Sequence, residues 1–455
     1  MNYTTEQENI IYSDADNIFV IALAGTGKTT TLIGFSKVRK KESFLYLVYN
    51  STLREDVQSK FGNNVRIETI HSLAYKEVGF NFKGNLKNQL KLEDLHNFLM
   101  PEVALDICSE SLYRVQELMK RFLYSKAKSL EEIPFDEETL NLAMKYWELM
   151  KNKTAPMTHD GYLKLFYLSE PKLDYDWIMV DEAQDASEVM LEIIFPQKAS
   201  MILVGDNNQK IYGWRGAINA FEYNHNKNID IHTLTHSFRF GPVIANEANQ
   251  ILNFKKAGVN LIGCDRYSTI EDLEYPYTLI TRTSRTIFDE ALKAVQAGKK
   301  IHIYGTDFFD LIYDVMNLYL GKKDLINSEF IRKFDNFKKF ASMVDALGMI
   351  EFKGIVKLVS DYDQSLENSL SLIKKSLVSA RLADISFVTA HKSKGSEYLF
   401  VKLANDFTLL HSQTGGRIPL ESIDEEELNL IYVAMTRAIE KLQLNSDLKK
   451  FLNYI

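Results

Sequence analysis

Cysteine is nearly missing from this sequence. Only Cys108 and Cys264 occur in 455 residues, far apart. They offer neither a zinc-binding spacing nor a disulfide framework, which fits a reducing cytoplasm. Apolar runs of about 18 residues are missing as well, so no transmembrane helix is expected. The N-terminus, Met1 to Asn9, is polar and lacks a signal-peptide core. Low-complexity tracts are absent. Positive charge is not in excess: 54 Lys and Arg stand against 61 Asp and Glu, a net charge of −7. That balance argues against a protein that coats nucleic acid nonspecifically. It still leaves room for a local basic groove that tracks a phosphate backbone.

What is present is globular: 45% hydrophobic and 25% charged residues. A chain of this length exceeds one ordinary core, so two or more domains are expected. The 23 Tyr and 27 Phe are enough to fill cores and leave a few platforms for stacking.

Asn17 to Leu23 (NIFVIAL) is a short β-branched and apolar run that reads as a buried strand. It leads into Ala24-Gly25-Thr26-Gly27-Lys28-Thr29, and a helical stretch follows from Thr30 to Val38. Strand, Gly-rich turn and helix are the context of a phosphate loop, here Ala22 to Thr29. Ala22 replaces the first glycine of the usual pattern. Backbone N–H groups of such a loop point at phosphate oxygens, and the helix N-terminus adds positive potential. Ala24, Gly25, Thr26, Gly27, Lys28, Thr29 and Thr30 form the expected cradle for ATP. Lys28 reaches the β- and γ-phosphates in this reading, and the Thr29 hydroxyl holds Mg²⁺.

A second apolar strand, Trp177 to Val180 (WIMV), ends in Asp181-Glu182-Ala183-Gln184-Asp185. Parallel sheets bind ligands at the carboxyl ends of their strands, so this acidic pair can sit beside the phosphate loop. Asp181 then completes the Mg²⁺ shell and Glu182 polarises the attacking water. A third strand, Met201 to Val204, ends in Gly205-Asp206-Asn207-Asn208-Gln209, and Gln209 is placed to sense the γ-phosphate. Tyr212, Trp214 and Arg215 follow at once. Bases stack on aromatic faces with about 1–3 kcal/mol each, so this segment could couple hydrolysis to a base-holding surface. The other reading of Trp214 is a core residue.

DEAQD followed by GDNNQKIYGWRGA resembles superfamily 1A DNA helicases of the UvrD/Rep/PcrA kind. IYGWRGAINAF and LTHSFRFG look closest to the F-box DNA helicase branch. Further segments then fall in family order along almost the whole chain. The resemblance implies that Gln7 reads adenine, that Tyr49 and Asn50 (in LYLVYNSTL) contact DNA, and that Thr69 and His71 contact its backbone. It implies that Phe238 stacks on adenine and that Arg239 is a first arginine finger, both in LTHSFRF. Arg282, in LITRT, is placed near DNA. In TAHKSKGSEY, His391 and Lys392 touch the DNA backbone and Glu397 holds the nucleotide sugar. Arg437, in IYVAMTRA, is the second arginine finger. The chain departs from the family at Ser396, where a Leu is usual, and at Leu428 and Asn429, where two Arg are common. Read alone, His71 and Arg282 would be satisfied polar residues in turns, and Arg239 and Arg437 would be surface salt bridges.

The motifs divide the chain into two RecA-like α/β motor domains with parallel sheets, each interrupted by a mainly helical insert. The first motor domain takes 1–75 and 172–230, with insert 76–171. The second takes 231–285 and 383–455, with a reduced insert 286–382. Helix-like spacing marks Leu86 to Met100, Leu112 to Ala127 and Leu140 to Met150 in the first insert, and Phe308 to Leu320 and Phe330 to Leu347 in the second. His302 and Tyr304 read as strand packing, in a strand that could belong to the motor sheet. The ATP site is expected in the cleft between motor halves. The chain ends soon after IYVAMTRA, so no appended nuclease or zinc module is expected. The implied activity is 3′→5′ movement on single-stranded DNA driven by Mg-ATP hydrolysis, with strand separation of single-stranded or tailed duplex DNA. Alternatives are a translocase that remodels protein–DNA complexes, or an ATP-gated DNA-sensing subunit for a partner nuclease in phage defence or DNA repair. A loading partner is a further expectation, and no membrane partner is expected.

Overall fold

A strand buried on both faces has no polar side to present. Phe44–Leu47 and Trp177–Val180 are of this kind, buried at all four positions. Both lie inside a six-stranded parallel sheet. The computed structural model describes residues 3–48, 58–213, 216–223, 228–410, 416 and 418–454, with backbone alone at 106, 350 and 351. Tyr49, Asn50, Trp214 and Arg215 lie outside the described residues. The chain forms two units that divide between Thr235 and His236.

In the first unit the strands are β1 (Asn17–Ala22), β2 (Phe44–Leu47), β3 (Val65–Glu68), β4 (Leu86–Lys87), β5 (Met157–Thr158), β6 (Trp177–Val180), β7 (Ser200–Gly205) and β8 (Asp230–Leu234). The large sheet has the order β3-β2-β6-β7-β1-β8, and all its pairs are parallel. The carboxyl ends of β6, β7 and β1 therefore lie side by side. Ile10, Val20, Phe35, Phe44, Trp177 and Val204 share one core under the sheet. Gly34 lets helix Thr5–Ile11 close on helix Lys28–Val38, since a Cβ there would stand 2.6 Å from Ile11 Cδ1. The stretch 76–171 is mostly helical: Leu92–Leu99, Leu105–Tyr124, Glu137–Lys151 and His159–Leu168. Leu112, Val115, Met119 and Phe122, at helical spacing, form its buried stripe. The two-residue strands β4 and β5 pair with each other there.

The second unit holds β9 (Thr269–Ile270), β10 (Tyr277–Thr281), β11 (Ile301–Ile303), β12 (Ile385–Thr389), β13 (Tyr398–Leu403) and β14 (Ala438–Gln443). Their order is β11-β12-β10-β13-β14-β9, again parallel throughout. Both sheets are thus of the expected class. The IHIYG strand joins this motor sheet as β11, which lies inside the stretch 286–382. Likewise β8 carries the first sheet to Leu234, past residue 230. Helices Asp307–Tyr319, Phe337–Ala346, Ile350–Tyr362 and Ser365–Lys375 make up about half of the second insert. Phe330, Phe334, Phe340 and Phe352 meet in its centre, with ring centroids 5.2 to 5.5 Å apart for three of the pairs. Among the described residues, no helix is long and apolar enough to cross a membrane.

Candidate functional site

Leu23 is fixed at the end of β1 by donating its backbone N–H to Leu234 O at 3.0 Å. The chain then turns through Gly25 and Gly27, at φ of 76° and 79°, a left-handed conformation that glycine adopts without Cβ strain. Thr26 is buried and donates its hydroxyl to Leu23 O at 2.8 Å, which closes the turn. Gly27 caps helix Lys28–Val38, so Lys28, Thr29 and Thr30 occupy its first turn. Orphan N–H groups there suit a phosphate.

The end of β6 supplies the acids. Asp181 Oδ2 accepts from Thr29 Oγ1 at 3.3 Å and from the Tyr46 hydroxyl at 2.6 Å. Its Oδ1 accepts from the Glu182 backbone N–H at 2.9 Å. Glu182 stands at φ 52°, an uncommon conformation for a residue with a Cβ and one that recurs at functional sites. That bend brings Glu182 Oε1 to 3.0 Å from Lys28 Nζ. Burial, and then Glu182, push the Asp181 carboxyl above its ordinary value, with Lys28 pulling the other way. For Lys28, burial acts downward, but Glu182, Asp181 and Asp206 outweigh it and hold the ammonium pKa above its usual value. Thr29 and Asp181 present hard oxygen donors side by side, which fits a divalent cation that takes its other ligands from phosphate and water.

A chain of polar contacts continues from Glu182. Gln184 Nε2 donates to Glu182 Oε2 at 2.5 Å, and Gln184 Oε1 accepts from the Asp206 N–H at 2.9 Å. Asp206 Oδ2 in turn accepts from Gln209 Nε2 at 2.8 Å. Gln184, Asp206 and Gln209 are all buried. A Cβ at Gly205 would collide with Gln184 Oε1, so glycine is needed where the two strand ends meet. Tyr46, Gln184 and Asp206 were not singled out from sequence. All three stood in quoted motifs, Tyr46 in LYLVYNSTL, but nothing local gives Tyr46 a role.

Gln7 lies in the helix beside the phosphate-loop helix and is buried. Its Oε1 accepts from Thr4 N at 3.1 Å, whereas its Nε2 has no partner among the described residues. An amide with one end anchored and the other open can pair with a base edge.

In the second unit three expected residues converge. Arg239 Nε donates to Glu397 Oε2 at 2.9 Å and its Nη1 to Thr436 O at 2.8 Å. Arg437 is buried and donates from Nε to Val433 O at 2.9 Å, from Nη1 to Ser396 O at 3.3 Å and from Nη2 to Thr436 Oγ1 at 3.3 Å. Thr436 is thus shared by both arginines. Phe238, which precedes Arg239 in sequence, is 49% exposed.

The expected DNA contacts are dispersed. Thr69 caps helix Ile70–Glu77 by accepting from Ser72 N. His71 Nε2 lies 3.0 Å from Asp160 Oδ1 on the insert, and Asp160 Oδ2 accepts from the Tyr124 hydroxyl at 2.9 Å. Burial works against the Asp160 carboxylate, but His71 and Tyr124 hold its pKa below the ordinary value. Arg282 forms a fork on Glu427, with Nε to Oε2 at 2.9 Å and Nη2 to Oε1 at 2.5 Å. Lys392 Nζ is 2.6 Å from Asp307 Oδ1, and His391 shares its short helix Ala390–Ser393. Tyr212 follows the buried Ile211 and is partly exposed.

Comparison with known proteins adds a second line of observation. The UvrD/REP helicase N-terminal domain profile matches residues 3–230. F-box DNA helicase 1 of Gallus gallus is 29% identical over 99% of this chain and 49% of its own length. F-box DNA helicase protein 1 of Schizosaccharomyces pombe is 30% identical over 98% of this chain and 58% of its own. The Gabija protein GajB of Bacillus cereus is 23% identical over 98% of this chain and 96% of its length. The chain therefore spans about half the length of the two F-box proteins.

Proposed function

We propose that this chain, which belongs to the UvrD/REP helicase family, is an ATP-driven DNA helicase or translocase that moves 3′→5′ along single-stranded DNA. One observation carries the ATPase half of the reading. Two strand ends bring Lys28 to 3.0 Å from Glu182 and Thr29 to 3.3 Å from Asp181. Residues 152 positions apart in sequence, Thr29 and Asp181, meet, and the site gathers the parts that phosphoryl transfer to water uses.

In this reading the N–H groups of Gly25 to Thr30 bind the phosphates, and Lys28 leaves Glu182 for the γ-phosphate. Glu182, released, orients a water and takes its proton. Thr29 and Asp181 would hold Mg²⁺, which supplies charge neutralisation at the phosphate oxygens when bound. Gln7 reads the adenine edge, Phe238 stacks on its face and Glu397 holds the sugar. Arg239 and Arg437 stabilise charge that develops on the γ-phosphate. Gln209 reports the γ-phosphate to the segment of Tyr212, Trp214 and Arg215, which holds bases. Tyr49, Asn50, Thr69, His71, Arg282, His391 and Lys392 contact the DNA strand, and carboxylates that now pair with three of them yield to phosphates.

The test is an ATPase and strand-displacement assay with single-stranded DNA, duplexes bearing a 3′ or a 5′ tail, and RNA. ATP hydrolysis stimulated by single-stranded DNA, with displacement confined to the 3′-tailed duplex, is expected. Equal displacement from the 5′ tail overturns the polarity. Absence of DNA stimulation overturns the motor.

A further inference from the structure

Tyr46 poses a chemical question that the core does not answer. It sits on β2 with Met179 of β6 as its Cα partner, and its ring lies 4.8 Å from that of Phe61. Phenylalanine would fill that space equally well. Burying a hydroxyl costs free energy unless it finds a partner. The partner here is Asp181, whose Oδ2 accepts from the hydroxyl at 2.6 Å, and Tyr46 itself is only 1% exposed.

We propose that Tyr46 is a positioning residue that fixes the carboxylate of Asp181 for metal binding. The inference rests on the reading of Asp181 as a metal ligand. Three donors from three elements hold this carboxylate: Tyr46 from β2, Thr29 from the phosphate-loop helix, and the Glu182 N–H from the turn after β6. Thr29 is itself an expected ligand and the Glu182 N–H bends with its strained turn. Tyr46 is the one donor anchored in the sheet core and outside the ligand set. Its strand is also tied to the acid directly, because the Asp181 N–H donates to Leu47 O at 3.1 Å. The phenol therefore sets the carboxylate rotamer and keeps Oδ2 turned toward Thr29. Hydrogen bonds to ligating carboxylates typically matter by about 10- to 100-fold in metal affinity.

The experiment uses the full chain with Tyr46→Phe. Mg²⁺ is titrated at saturating ATP and single-stranded DNA, and Mn²⁺ binding with ADP is followed by electron paramagnetic resonance. About a 10-fold rise in both metal constants is expected, with the ATP KM at saturating Mg²⁺ and the melting temperature nearly unchanged. Unchanged metal constants overturn the proposal. In the Asp181→Asn background Tyr46→Phe should add no further metal loss, and an additive loss also overturns it. Fluorotyrosine at position 46 retains ring and donor, so should the phenylalanine variant fold poorly it must still shift the metal constant. Lys28→Met separates the two levels: a wild-type protein with no more ATPase than Lys28→Met sinks the ATPase reading itself.

Discussion

Lys28 stands among three carboxylates, and removing the cation and removing Asp181 act on stability with opposite signs. Lys28→Met leaves Glu182 and Asp181 facing each other without a cation, so a stability loss of about 1–3 kcal/mol is expected in urea unfolding. Asp181→Asn behaves in the opposite way. A carboxyl whose pKa is raised on folding gives its stability below the ordinary value of 3.8 and loses it as pH rises through the folded value. At neutral pH the ionised Asp181 is therefore a cost, so the Asn variant should melt no lower than wild type at pH 7. The difference should shrink toward acid pH, and Mg²⁺ with ADP should stabilise only the wild type. Glu182→Gln should retain nucleotide binding and lose DNA-stimulated turnover by about 10²- to 10⁴-fold; normal turnover would remove Glu182 as the base. Lys28, Thr29, Asp181 and Glu182 were legible because each lies within a few residues of an apolar strand end. Tyr46 was not, since its role depends on β2 lying beside β6, a neighbour more than a hundred residues away.

Between elements, Gly216 packs on the insert helix Leu105–Tyr124. Gly216 stands at φ 71°, and a Cβ there would lie 2.7 Å from Tyr124 Cβ. Tyr124 holds Asp160, and Asp160 holds His71. The segment after Gln209 thus packs on the helix that orients an expected DNA contact. Gly216→Ala should keep basal ATPase and reduce stimulation by single-stranded DNA several-fold, because the clash moves Tyr124. Tyr124→Phe removes only the hydrogen bond and should cost less. If both variants are stimulated like wild type in a DNA titration, the contact is packing alone. The elements that sequence reading passed over share a physical cause. β3, β8 and β9 are edge strands and β14 lies next to one, so runs such as VRIE, DIHTL and AIEKLQ carry polar residues that break the apolar pattern. Inner strands such as β1, β6 and β7, largely buried on both faces, were read from their continuous apolar runs.

At the scale of the whole chain, helix Ile350–Tyr362 is fastened to helix Ser284–Gln296, which packs on the second sheet although most of it lies inside the stretch 286–382. The Tyr362 hydroxyl donates to Asp289 at 2.9 Å, Arg285 pairs with Asp361 at 2.5 Å, and the Phe288 and Tyr362 rings meet at 5.1 Å. Those partners sit on helix Ser284–Gln296, between β10 and β11. The chain leaves the sheet after Ile303 and returns beside β11, since Val378 N donates to Ile301 O at 2.9 Å. Tyr362, which is only partly buried, should on replacement by Ala destabilise the second unit by about 0.5–3 kcal/mol and raise hydrogen exchange in both helix 284–296 and the insert. Faster exchange in the insert alone would mean that the two are not one cooperative unit. Sequence by itself determined the strand-turn-helix of the phosphate loop, the acids that end β6 and the parallel α/β class, because each is written in neighbouring residues. The tertiary structure alone decided that Lys28 pairs with Glu182, that Thr436 serves both Arg239 and Arg437, and that Tyr46 reaches Asp181. Those contacts depend on which strands lie side by side, and strand order is set by the packing of a shared core, which no local stretch of sequence contains.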